Sequence, residues 1–254
     1  MLVLRWVDEE LLVHEEFIGL YEVPSIEAST LVGVVKDSLL RLNLSLAKAR
    51  GQCYDGASNM TGVGNGVAKQ IQDEQPNAFI THCYGHSLNL AVSDTIKNCS
   101  TVKNALDTTH EITKLVKYSP RRENLFWDLK DSMAPGSPGV RVLCPTQWTV
   151  RAESMQSIIH NYSVLQELWD RAVEIVHDSE TIACIRGVAT QMHSFDFFFG
   201  LVLGESLLRN TDNLSRTLQK KNYSAAEGQL TANQTKRTLM GIRNEECFDL
   251  FWER

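Results

Sequence analysis

The sequence predicts an α/β (α+β) fold, with a small mixed sheet domain over residues 1–98 and an all-helical segment over 99–254. Three observations predict it. β-prone runs are confined to the first third, at Leu2–Val7, Val13–Tyr21, Leu46–Tyr54 and Phe79–Cys83. From Val102 onward, apolar residues recur at helical spacing. Two chemistry-bearing stretches stand where predicted strands end: Gly51-Gln-Cys-Tyr-Asp-Gly-Ala-Ser-Asn-Met60 and His82-Cys-Tyr-Gly-His86.

Each element has a local cause. Leu2–Val7 is apolar and β-prone, and Asp8-Glu9-Glu10 reads as a hairpin turn into a second strand, Val13–Tyr21. Pro24-Ser25 breaks that strand. Ser25 or Ser29 is placed to cap a helix whose apolar face is Leu31, Val34, Val35, Leu39 and Leu42. A strand from Leu46 to Tyr54 then ends at Asp55, with Gly56, Ser58 and Asn59 opening the chain behind it.

Thr61-Gly-Val-Gly-Asn-Gly66 is glycine-rich, yet no Gly-Lys-Ser/Thr follows it and its spacing does not match the dinucleotide fingerprint. A turn is the expectation. Val67–Asp73 reads as a short helix ended by Pro76, Phe79–Cys83 as a strand and Ser87–Ile96 as a helix. Val102–Tyr118 and Glu123–Met133 follow as helices, with Lys114, Lys117, Arg121 and Arg122 forming a basic cluster at their junction. Such a cluster is either a solvated helix end or a phosphate-backbone contact. Ala134-Pro-Gly-Ser-Pro-Gly139 reads as a linker, and long helices account for the rest. Met192, Phe195 and Phe199 fall at one-face helical spacing and read as core. No internal repeat is visible.

Composition narrows the class. Hydrophobic residues make up 43% of 254 positions and charged residues 22%, which suits a soluble globular chain. A net charge of −6 offers nucleic acid no global attraction, so any such contact needs a local patch. No run is long and apolar enough for a membrane span, and no secretory leader is visible. Cysteines at 53, 83, 99, 144, 184 and 247 are too scattered for a disulfide scaffold, so an intracellular protein with reduced thiols is expected.

The candidate site residues each have two readings. Asp55 at a strand's carboxyl end is a candidate metal ligand, or a turn-forming aspartate beside glycine. His82, Cys83 and His86 would make a zinc site only with further ligands such as Cys53 or Cys99. His86 also fits a satisfied, buried histidine at a helix start. Trp148, in Cys144-Pro-Thr-Gln-Trp-Thr-Val-Arg151, fits an anchor that packs a helix start onto the core.

Cys53-Tyr-Asp-Gly-Ala-Ser-Asn-Met60, His82-Cys-Tyr-Gly-His-Ser-Leu-Asn-Leu90 and Thr146-Gln-Trp-Thr-Val-Arg151 together resemble the hAT superfamily of transposases. The likeness is nearer still to its domesticated relatives among zinc finger MYM-type proteins. Phe195-Asp-Phe-Phe-Phe-Gly200 and Ser224-Ala-Ala-Glu-Gly-Gln229 look like the same group. The resemblance implies an RNase H-like domain interrupted by a helical insertion, with three acids binding two Mg²⁺ or Mn²⁺ ions for phosphoryl transfer. By position Asp55 matches the second acid, Cys83 and His86 the Cys-x-x-His motif, and Trp148 a tryptophan stacking on a flipped base. The family usually has arginine before that tryptophan, whereas Gln147 stands here.

The resemblance places the first acid upstream of Leu2 and the third beyond the insertion, so the chain is read as truncated at both ends. One acid of three cannot hold two metals. The expectation is therefore a domesticated or relic transposase-like domain, catalytically inactive, with no cofactor of its own and no small-molecule substrate. It would bind DNA through Trp148, Gln147, Lys117, Arg121 and Arg122, or bind nuclear proteins. The alternatives are a fragment of a metal-dependent DNA strand-transferase active only with flanking regions, and a protein-interaction module without DNA binding.

Overall fold

In the computed structural model, which describes residues 1–143 and 150–253, the opening strands form a hairpin. β1 (Leu2–Val7) pairs antiparallel with β2 (Val13–Gly19), Trp6 opposite His14. Asp8 organises the turn. Its Oδ1 accepts the N–H groups of Glu10 and Leu12 at 3.0 and 2.8 Å, and Oδ2 meets His14 Nε2 at 2.6 Å. The His14 contact, followed by the backbone bonds, holds the Asp8 carboxyl below its ordinary range.

α1 (Ala28–Arg41) buries Val32 and half-buries Leu31 and Val35. Neither serine caps it by side chain. Glu27 stands at the N-cap position, Ser25 Oγ accepts the Glu27 N–H, and Ser29 lies inside the helix. The single strand expected over Leu46–Tyr54 is also corrected. Ser45 Oγ accepts the Ala47 N–H and opens a 3₁₀ turn, Leu46–Lys48, so that β3 is only Gly51–Tyr54. A local hydroxyl-to-backbone bond here outcompetes a β-prone run.

β3 runs parallel to β4 (Phe79–His82), with Cys53 opposite Thr81 and Tyr54 opposite His82. Between them lie α2 (Ser58–Thr61) and α3 (Val67–Glu74). The glycine-rich run is a closed turn in which Gly66 N–H donates to Gly62 O at 2.9 Å. A Cβ on Gly66 would stand 2.5 Å from Gly62 N, so close backbone approach accounts for that glycine. Val67, Ile71 and Ala78 join Val32 in a small core. Gln52 Nε2 ties β3 to it, donating to Ala68 O and Ala78 O. Around this core Trp6, Val7, Phe17 and Phe79 remain exposed. This compact unit comprises Met1–Leu90 and Leu218–Ser224.

The second unit, Ala91–Thr217 with Ala225–Arg254, is helical. After α4 (Tyr84–Lys97) come α5 (Ser100–Lys117), α6 (Pro120–Met133), α7 (Arg151–His160) and α8 (Tyr162–Ile175). α9 (Ser179–Met192), α10 (Phe195–Leu218), α11 (Ala225–Gly241) and α12 (Glu245–Trp252) complete the chain. Caps set the boundaries: Ser119 accepts from Arg122 N–H before α6, Asp178 from Thr181 N–H before α9 and Asn244 from Cys247 N–H before α12. The core gathers Ile112, Phe126, Met155, Ile158, Leu165, Trp169, Ile185 and Leu201, with Trp169 Nε1–H pointing at Met192 Sδ.

The Pro/Gly segment 134–139 lies inside this unit. Ser137 Oγ donates to Asn161 Oδ1, and fully buried Asn161 donates through Nδ2 to Pro138 O. The expected common face of Met192, Phe195 and Phe199 does not exist. The helix breaks at His193-Ser194, leaving Met192 buried at the end of α9 and Phe195 61% exposed at the start of α10. Phe197 is the buried aromatic instead, while Phe195 and Phe199 meet Trp252 and Phe251 of α12. Thus the fold is α+β, mostly helical among the described residues, with two two-stranded sheets.

Candidate functional site

The two motif stretches meet at the carboxyl ends of the parallel strands. Register brings them together: Tyr54 lies opposite His82, and Cys83 N–H donates to Tyr54 O at 2.9 Å. Asp55-Gly56 therefore leaves β3 beside the point where α4 begins. Asp55 is exposed, and its Oδ1 accepts the Ala57 N–H at 3.2 Å. That bond makes an aspartate turn and steers the chain into α2. Asn59 Nδ2 donates to Ile26 O and pins the same loop to the approach of α1.

His82 faces this turn. A Cβ on Gly56 would lie 3.0 Å from His82 Nε2, so glycine leaves the imidazole its room. His82 Nδ1 pairs with Ser87 Oγ at 3.0 Å, and the His82 and His86 rings are 6.1 Å apart. Burial pushes the Cys53 thiol up, with the Cys83 thiol as its neighbour, and burial pushes the Tyr54 phenol up to about 12. Both groups stay protonated at neutral pH, which argues against Cys53 as a nucleophile.

Two divalent ions require several carboxylates converging on one point. Among the described residues, no three His, Cys, Asp or Glu side chains are grouped to hold a metal ion. Asp55 offers a single carboxylate whose Oδ1 already accepts a backbone bond. The described residues at this site thus do not fit the two-metal arrangement.

The remaining expected residues are dispersed. Gln147 and Trp148 lie outside the described residues. The basic cluster at the α5–α6 junction is not a free cationic patch. Lys117 Nζ is 2.6 Å from Glu123 Oε1, Arg122 Nε donates to Leu115 O at 2.6 Å, and Lys114 lies 3.7 Å from Glu111. Arg121 remains exposed. Trp127 receives both Lys117 and Lys130 over its ring, at 5.7 and 5.1 Å.

One polar anchor was missed by sequence reading. Asp212 of α10 is buried, and its Oδ2 accepts the Ala152 N–H at 2.9 Å, capping α7 from 60 residues away. Burial lifts its carboxyl to about 6, against the opposing pull of that hydrogen bond and of Arg151 and Arg216. Arg151, the last residue of the tryptophan motif, also reaches Ser93 Oγ at 3.4 Å. No local pattern could reveal a cap supplied from another helix.

Comparison with known proteins matches this architecture in two pieces. A family model described as the ZMYM1/FAM200 RNase-like domain matches residues 1–66, and one described as the ZBED1 RNase-like helical domain matches residues 81–183. Together these matches support a hAT-derived, ZMYM/ZBED-like domain. The first match covers the hairpin, α1 and the Asp55 turn of this hAT-derived domain, and the second opens just before Cys83. A human relative, the "52 kDa repressor of the inhibitor of the protein kinase", is 23% identical across 98% of the chain. The chain spans about a third of that relative's length, 34%. No solved structure matches.

Proposed function

We propose that this hAT-derived domain is a nuclear nucleic-acid-binding module that does not carry out strand transfer by itself. The observation behind this reading is the Asp55 turn. The one carboxylate at the matching position accepts a backbone N–H, and the side chain beside this turn is the His82 imidazole. The helical unit is read as an insertion into the sheet unit. Support comes from the chain's path, which leaves the first unit after Leu90 and returns to it at Leu218–Ser224. A relative named as a repressor agrees with a regulatory rather than catalytic role.

Two assays on the purified chain test this. Fluorescence anisotropy with labelled duplex DNA is expected to report binding that weakens as salt rises. Incubation of the same duplex with Mg²⁺ or Mn²⁺ is expected to leave it intact. Metal-dependent nicking or joining that disappears in Asp55→Ala would overturn the non-catalytic half. Salt-insensitive or absent DNA binding would overturn the nucleic-acid half and leave a protein-interaction module.

A further inference from the structure

The helical unit contains a cleft of about 340 Å³ whose lining is unusually cationic for an acidic chain. α7 contributes Glu153, Gln156 and His160, which recur at helical spacing and so share one face. α10 contributes Arg209, Asn213 and Arg216, again one face. Arg141, just beyond the Pro/Gly turn, closes the third side. Three guanidiniums and an imidazole therefore share a lining with one carboxylate, that of Glu153. Outside the lining, Glu205 pairs with Arg209, and the buried Asp212 feels the charge of both Arg151 and Arg216.

Glu153 is shared. Arg141 Nη1 contacts its Oε2, and Arg216 Nη2 lies 3.1 Å from its Oε1. Each guanidinium carries five N–H donors. One carboxylate cannot satisfy two of them. Arg141 and Arg216 are also substantially exposed, at 61% and 46% of their side-chain surface, so this network gains little stability as a structural device. A phosphoryl group has more acceptor oxygens than a carboxylate and matches the guanidinium fork. It could meet Arg141, Arg209 and Arg216 together, with Gln156 and Asn213 as neutral donors at its edge.

We propose that this cleft is a phosphate-binding site that takes a backbone phosphate of nucleic acid, with Glu153 occupying it in the free protein. The inference rests on the nucleic-acid reading above and gives it a location. It also replaces the α5–α6 junction as the phosphate contact. The site lies on α7, the helix into which the Thr146–Arg151 motif leads.

The test uses the full chain, a short fluorescein-labelled duplex and inorganic phosphate. Arg141→Gln/Arg209→Gln is expected to weaken duplex binding about tenfold and lower the salt slope by about 2, while circular dichroism stays unchanged. Glu153→Gln removes the internal competitor and is expected to tighten binding several-fold. A merely structural Glu153 would give no such gain. If the duplex binds wild type and both variants alike, the cleft proposal is overturned and the nucleic-acid reading stands. If the duplex fails to bind but inorganic phosphate broadens in ³¹P NMR with wild type and not with the double variant, the cleft is a phosphate site and the nucleic-acid reading falls. If neither probe binds, the proposal is overturned.

Discussion

Asp212 makes the sharpest stability prediction. Its carboxyl is 2% exposed, caps α7 through Ala152 N–H at 2.9 Å, and titrates at about 6 instead of 3.8. Burial is the dominant cause. The folded state therefore holds this proton more tightly than the unfolded chain. Stability from that preference is fully present below about pH 4 and is lost as pH rises through about 6. A shift of about two units corresponds to at most about 3 kcal/mol. Asp212→Asn keeps an oxygen that accepts the Ala152 N–H and removes the ionisation. Urea unfolding of both proteins at pH 4, 5, 6 and 7 isolates this group, because every other carboxyl is common to both. Relative to wild type, the variant should gain up to about 3 kcal/mol on going from pH 4 to pH 7. Asp212→Ala leaves a buried N–H without its acceptor and should cost about 1–3 kcal/mol at every pH. A wild-type-minus-Asn difference that is flat across this range, or of opposite slope, would refute the reasoning.

Two further predictions concern glycine packing and the Asp55 turn. A Cβ on Gly200 would stand 2.5 Å from Thr101 O, a backbone atom that cannot swing aside, so Gly200→Ala should cost about 1–3 kcal/mol by thermal or urea unfolding. Gly187, mid-helix in α9 with nothing within 4 Å, is the control, and Gly187→Ala should stabilise by about 0.5–1 kcal/mol. Asp55→Asn should preserve the turn, whereas Asp55→Ala should cost about 1 kcal/mol through the lost Ala57 bond. Mn²⁺ should leave the melting temperature of wild type and Asp55→Asn equally unmoved, and a rise confined to wild type would contradict the turn reading.

Legibility followed the range of the interactions. The β1–β2 hairpin, α3 and α5 were visible because their causes lie within a few residues: Asp8 in the turn, periodic Val67 and Ile71, and Val102 to Val116 along one face. The same locality misled elsewhere. Leu46–Lys48 looks β-prone, yet the single hydroxyl of Ser45 redirects it into a 3₁₀ turn. Met192 and Phe195 have helical spacing, yet Ser194 Oγ accepts the Phe197 N–H and starts a new helix between them. Gly200 reads as a helix weakener in sequence and acts as a contact with α5 in the fold. That role depends on a neighbour about a hundred residues earlier, which periodicity cannot name.

The candidate site divides along the same line. Asp55 and His86 could be singled out because acid, glycine and imidazole cluster within short stretches. That they share one sheet end follows from the parallel register of β3 and β4, which no local pattern names. The basic residues at the α5–α6 junction have local partners for a physical reason. Sequence proximity of Lys114, Lys117, Arg121 and Arg122 brings Glu111, Glu123 and the α5 carbonyls just as near, so most of that charge is spent locally. Arg209 has Glu205 on its own helix, whereas Arg141 and Arg216 come from distant segments and share the single carboxylate of Glu153. Excess positive charge in an acidic chain is therefore to be sought where distant elements converge. On a single helix junction, selection for helix stability has already supplied the counter-ions.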